Sequence, residues 1–137
     1  MIPLSVPNIN GNEWQYVKDC LVTGWISSSG TYVNKFEEAI QNYTGAKYAI
    51  ACMNGTAGLQ VSLNLAGVSS NDIVIAPNLT FVATLNAISY SRAEIVLIDV
   101  CEDSWQMDID LLQNWLENNT TTKFVNEKPI TTERTSG

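Results

Sequence analysis

Histidine is absent from all 137 residues of this chain. Its absence removes the commonest general base at neutral pH and the commonest transition-metal ligand. Basic residues are scarce as well. Seven Lys and Arg stand against fourteen Asp and Glu, giving a net charge of −7 and a pI near 4.3. Such a surface repels nucleic acid and anionic membranes, so neither is expected as a partner. Cys20, Cys52 and Cys101 form an odd set without a C-x-x-C pair. They read as reduced, mostly buried thiols and not as a metal or disulfide framework. No apolar run is long enough to span a bilayer, and no basic-then-apolar leader opens the chain, so a soluble cytoplasmic protein is expected. The N-x-[ST] triplets at Asn42, Asn54 and Asn78 carry little weight in that setting.

What is present is a change of rhythm along the chain. Residues 1–9 hold Pro3 and Pro7 and read as an extended lead-in. Asn10 to Asn12 offer caps for a helix with Trp14, Val17 and Leu21 on one face, stopped at Gly24. After the hydroxyl-rich loop "GWISSSGTY" (24–32), Val33, Phe36, Ile40 and Tyr43 predict a second helix ending at Gly45. Apolar strands then alternate with helices. The strands are predicted at 47–52, 72–77 and 93–100; the helices at 56–66, at 80–89 with Asn78 or Thr80 as cap, and at 107–118 starting from Asp108. Strands that are unbroken apolar runs point to a parallel sheet covered on both faces, hence an α/β fold. Residues 119–137 lose this pattern and carry six threonines. They read as a polar tail: a surface loop, a disordered segment or the lead into a larger fold.

Two positions suggest chemistry. In open α/β sheets, ligands gather beyond the carboxyl ends of the strands. Gly55-Thr56-Ala57 sits there, after strand 47–52 and at the start of a helix whose first N–H groups lack intrahelical partners. Those donors and the helix dipole suit a phosphate, although a tight strand-to-helix turn is an equal reading of the spacing. The stretch is neither a G-x-G-x-x-G nor a P-loop with its lysine, which disfavours dinucleotides and nucleoside triphosphates. Phe81 follows strand 72–77 and would open the next helix on the same edge. Alone it reads as core; beside a phosphate site it would cover a flat ligand ring.

The runs "NGTAGL", "APNLTFVATLNAI" and "IVLIDV…SWQMD" resemble the sugar aminotransferases of the DegT/DnrJ/EryC1/StrS family, which are fold-type-I enzymes dependent on pyridoxal 5′-phosphate. The resemblance takes in "IPLSVPNINGNEW", "GWISSSGTYVNKFE" and "GAKYAIA", and runs in order from residue 2 to about 118. The wording is closest to the branch acting in legionaminic-acid-type sugar synthesis. The resemblance implies that Gly55, Thr56 and Ala57 hold the cofactor phosphate and that Phe81 stacks on the pyridine ring. It also places Trp25, Ser27 and Ser28 near the nucleotide-sugar substrate. The implied reaction moves an amino group, typically from glutamate, to a keto carbon of that sugar, in a homodimer with composite active sites. Gly58 departs from the family, which commonly has alanine there.

The family's Schiff-base lysine, in a Ser-x-x-Lys setting, and its acidic "DAA" partner for the pyridinium nitrogen have no counterpart among these residues. Lys18, Lys35, Lys47, Lys123 and Lys128 lie in helices, at a strand start or in the polar tail. Asp99 is read as structural. The resemblance therefore implies an incomplete large domain, with 1–118 as its amino-terminal part and 119–137 as a polar tail, inactive alone and poorly stable without the strands that would neighbour 47–52. Two other readings stay open: a truncated non-catalytic relative acting as a binding or pairing module, and a related sugar 3-dehydratase carrying histidine in place of the lysine.

Overall fold

The computed structural model describes residues 2, 3 and 5–133. It divides into two compact units, Met1–Ala51 and Cys52–Gly137.

The first unit is a helical pair. Helix α1 spans Glu13–Thr23 and α2 spans Thr31–Thr44. Both stop where the sequence places glycine: Gly24 and Gly45 adopt φ of 74° and 73°, the left-handed conformation that costs glycine nothing. The Tyr32 hydroxyl donates to Asp19 at 3.0 Å, and the Tyr32 and Tyr16 rings lie 5.2 Å apart. Partial burial, with help from the Asp19 carboxylate, pushes the Tyr32 hydroxyl above its ordinary range, so it remains a donor. The strand predicted at 47–52 does not form. A strand exists only in a ladder with another strand, and the described sheets are formed by other segments. Instead the Ala51 amide donates to the Glu37 carboxylate at 2.8 Å, and Ile50 stays 83% exposed.

The second unit carries the β–α–β element. Helix α3 spans Gly55–Leu65, strand β1 Ile73–Pro77, helix α4 Val82–Tyr90 and strand β2 Glu94–Ile98. Strands β1 and β2 pair in parallel, from Ile73 opposite Glu94 to Pro77 opposite Ile98. The ladder is extended at both ends, by Glu94 N–H to the Asp72 carbonyl at 2.9 Å and by Asn78 N–H to the Ile98 carbonyl at 2.7 Å. Helix α4 lies on this pair, and small residues bring it close: Ala76 and Ala87 are buried, beside Ile88, Ala93 and Ile98. Leu63 of α3, with Val68, Val74, Leu85 and Ile95, completes the cluster. The cysteines depart from expectation, since Cys20 and Cys101 are half-buried and Cys52 is exposed.

Helix α5 spans Ile109–Asn119 and starts as the sequence predicts, with the Asp108 carboxylate accepting from the Asp110 and Leu111 amides at 2.9 and 3.0 Å. The polar tail brings a correction. Residues expected to be a loop or disordered form an antiparallel hairpin, β3 (Thr120–Val125) with β4 (Lys128–Glu133). Its β-branched threonines suit a pleated ribbon, and Thr122 and Thr131 join hydroxyls across it at 2.8 Å. The two-residue turn sets Asn126 at φ 50° and Glu127 at φ 64°, both in the left-handed region that hairpins of this length require.

Glu127 is the strained member of that turn. Replacing it by glycine is expected to stabilise the hairpin by about 1 kcal/mol. Amide exchange across β3 and β4 should slow about fivefold, and unchanged exchange would contradict this account of the turn.

Candidate functional site

Connectivity sets where a ligand finds donors. Helix α3 returns through residues 66–72 to the amino end of β1, and β1 delivers the chain to α4 from its carboxyl end. An eleven-residue helix and a five-residue strand are each about 16 Å long. With α3 packed on α4, both helix N-termini therefore point towards the carboxyl end of β1.

At the start of α3 the backbone donors can be accounted for one by one. Asn54 is the N-cap, and its side-chain oxygen accepts from the Ala57 amide at 2.9 Å. The Asn54 carbonyl accepts from the Gly58 amide at 3.1 Å. Among the described residues, the amides of Gly55 and Thr56 and the Thr56 hydroxyl meet no protein acceptor. Apart from its chain neighbours and the helix's own backbone, no atom lies within 4 Å of where a Gly55 side chain would begin, so no other part of the chain covers that side of the helix start. No residue of α3 is charged, which leaves the positive end of its dipole uncompensated. Two free amides, a hydroxyl and an uncovered side form an anion-binding arrangement. The role of Asn54 was missed at the sequence level. The signal was there in its residue type and its place just before the helix, but the Asn-Gly pair read as a turn.

Phe81 is the N-cap residue of α4, in an extended conformation, and it is 79% exposed. The ring is not part of the core. The cap expected from Asn78 or Thr80 is not made: α4 has no side-chain cap, and the Thr80 hydroxyl pairs with that of Thr84 at 2.9 Å. Gly55, Thr56, Ala57 and Phe81 thus all sit at helix starts of one unit. Trp25, Ser27 and Ser28 belong to the first unit, in the loop between α1 and α2, and all three are exposed.

Other candidates resolve into structural parts. The Asp99 carboxylate accepts the neighbouring Val100 amide at 2.8 Å and lines a cavity of about 270 Å³ with Trp115. A cleft of about 550 Å³ lies between the hairpin and the strands, among Ile73, Ile75, Trp115 and Ile130. Burial, reinforced by Asp108, raises the Cys101 thiol, which keeps it protonated and unreactive. Hydrogen bonds from Ser69 hold Asp72 below the usual carboxylate range as part of the turn into β1. Lys35 and Lys47 rest over the rings of Tyr32 and Tyr48 at 5.0 and 5.2 Å. No cluster of potential metal ligands occurs among the described residues. No described helix is long and apolar enough to cross a membrane.

Residues 7–127 match the family model described as the DegT/DnrJ/EryC1/StrS aminotransferase family. A GDP-perosamine synthase of Escherichia coli is 38% identical over 119 residues, which is 87% of this chain and 33% of that protein. A GDP-perosamine synthase of Caulobacter vibrioides is 40% identical over 112 residues, 82% of this chain and 30% of that protein. Among solved structures, a Streptococcus pneumoniae protein assigned as a sugar aminotransferase, in its pyridoxal phosphate form, superposes with a TM-score of 0.74. It is 33% identical, over 82% of this chain and 29% of that one. The chain thus spans about a third of the length of these relatives.

Gly58 faces Cys52 at an ordinary contact distance of 4.0 Å, so a methyl group fits there. Gly58→Ala is expected to raise stability by about 1 kcal/mol through helix propensity. A lower melting temperature would show that the helix start cannot accept the side chain.

Proposed function

This chain belongs to the DegT/DnrJ/EryC1/StrS aminotransferase family, and on that premise we propose that it is the amino-terminal part of a pyridoxal-phosphate-dependent aminotransferase acting on a nucleotide-linked keto-sugar. Residues 1–118 correspond to the front of the fold-type-I large domain. The reaction transfers the amino group of a donor, glutamate in this reading, to a keto carbon of the sugar and releases 2-oxoglutarate. Its product serves cell-surface polysaccharide or nonulosonic acid synthesis, in keeping with the perosamine synthases among its relatives.

The observation that carries this reading is the pair of unpartnered amides at Gly55 and Thr56, in the family's phosphate position and open to solvent. Bound there, pyridoxal phosphate supplies an electron sink for the bond-breaking steps next to nitrogen. The residues of this chain bind and orient. The Gly55 and Thr56 amides and the Thr56 hydroxyl take the phosphate oxygens, while Ala57 keeps the first helical turn in register. Phe81 offers an exposed ring face to the pyridine ring and shields it from water. Trp25, Ser27 and Ser28 offer an apolar surface and two hydroxyls to the nucleotide-sugar. The Schiff-base lysine and the acidic partner come from the other two thirds of the family fold, and subunits pair as homodimers.

Thr56→Val keeps the branched shape and removes the hydroxyl, so affinity for pyridoxal phosphate should fall about tenfold. Equilibrium dialysis reads this directly, and unchanged affinity would remove Thr56 from the site. Given pyridoxal phosphate, glutamate and a nucleotide-linked keto-sugar, these 137 residues should produce no 2-oxoglutarate. Production should begin only when polypeptide bearing the Ser-x-x-Lys segment is joined or added. Turnover by these residues alone would overturn the assignment of the lysine.

A further inference from the structure

We infer that Asn10-Gly11 is a site of spontaneous covalent modification, deamidation through a cyclic imide, whereas the fold protects the same dipeptide at Asn54-Gly55. Asparagine precedes glycine at these two places and nowhere else in the 137 residues. In such a pair the glycine nitrogen gives up its proton and attacks the asparagine side-chain carbon. A new N–C bond closes a succinimide ring and the bond to Nδ2 breaks, so ammonia leaves carrying that proton. Water then opens the ring at either carbonyl, to aspartate or to isoaspartate. No oxidant, metal or enzyme is needed. Glycine favours the closure because it has no Cβ to obstruct the approach or restrict the backbone.

The two sites differ in what must move. Ring closure turns the peptide nitrogen towards the asparagine side chain, so ψ and the side-chain torsion both change. Asn54 is held at ψ 170°, with its carbonyl accepting from the Gly58 amide at 3.1 Å and its side chain from the Ala57 amide at 2.9 Å. Both bonds must break before the ring closes, which opens the first turn of α3. The Gly55 nitrogen is free, but the torsions that would bring it to the side chain are not. Asn10 lies ahead of α1, and the Asn12 carbonyl is the first to accept a helical bond, from Tyr16. Among the described residues the Asn10 backbone makes no hydrogen bond, and its exposed carboxamide donates to the Asn8 side chain. One restraint remains at Gly11, whose amide donates to the Glu13 carboxylate at 2.9 Å. That bond is exposed and lies outside the helical ladder, so it opens without disturbing α1. While it lasts it engages the reacting nitrogen, and the carboxylate charge opposes an amide anion. Glu13 therefore slows the reaction without preventing it. The product carries one more negative charge than the −7 of the parent chain. As isoaspartate it also places an extra main-chain carbon just ahead of α1.

The test ages the full chain at mildly alkaline pH, folded and in denaturant, then reads both digested peptides by mass spectrometry and isoaspartate-specific methylation. In the folded chain Asn10 should convert about tenfold faster than Asn54, which reacts only through local opening of α3. In denaturant the two rates should converge. Asn10→Gln should abolish the fast conversion, because a longer side chain closes a larger ring slowly. Glu13→Gln should speed conversion at Asn10 about twofold, the scale of one exposed charge. Equal rates in the folded chain, or faster conversion at Asn54, would overturn the proposal. So would a difference that survives in denaturant, since neighbouring residues and not the fold would then cause it. An unchanged or slower rate in Glu13→Gln would overturn the braking role of Glu13.

Discussion

The parallel ladder between Ile73–Pro77 and Glu94–Ile98 is the constraint on which the second unit turns. Parallel strands cannot be joined by a tight turn, so the chain must cross over, and here α4 makes the crossing. The crossover lays α4 on the ladder, seals Ala76, Ala87 and Ile88, and gives α3 a surface to pack on. It also aims the starts of both helices at one end of the sheet, where their unpaired N–H groups accumulate positive potential. Structure and candidate site thus share a cause, because the packing that buries a few small residues also presents the Gly55 and Thr56 amides.

That core is small. Only Ala76, Ala87, Ile88, Ala93 and Ile98 are buried hydrophobics among the described residues, while Trp14, Tyr48 and Phe124 remain mostly exposed. Parallel sheets are ordinarily covered on both faces and flanked by further strands. A two-stranded ladder within a family whose members are about three times longer is a partial fold-type-I domain. Its exposed apolar surface is the kind that the remainder of such a domain covers.

The helix boundaries were legible because their causes are local. Gly24 and Gly45 supply left-handed stops, Asp108 supplies a cap, and apolar periodicity marks the faces between them. The ladder strands were legible as mostly apolar runs, expected at 72–77 and 93–100 and found at Ile73–Pro77 and Glu94–Ile98. The site was half legible. Gly55 and Thr56 declare flexibility and a hydroxyl, yet nothing local tells a phosphate cradle from a turn. Phe81 read as core when taken alone, since composition does not report which way a ring at a helix start will face.

Sequence by itself determined the α/β rhythm, the glycine stops of α1 and α2, the Asp108 start of α5, the net negative charge and the order of motifs shared with the family. Tertiary structure decided which apolar runs became strands. KYAIAC has the composition of a strand and forms none, because no described strand lies in a ladder with it. The threonine-rich stretch from 120 reads as tail and forms a hairpin, because its partner lies just across a two-residue turn. Helices close their hydrogen bonds within themselves, so local sequence suffices to specify them. A strand needs a partner strand, near or far in the chain, and only the folded arrangement supplies it.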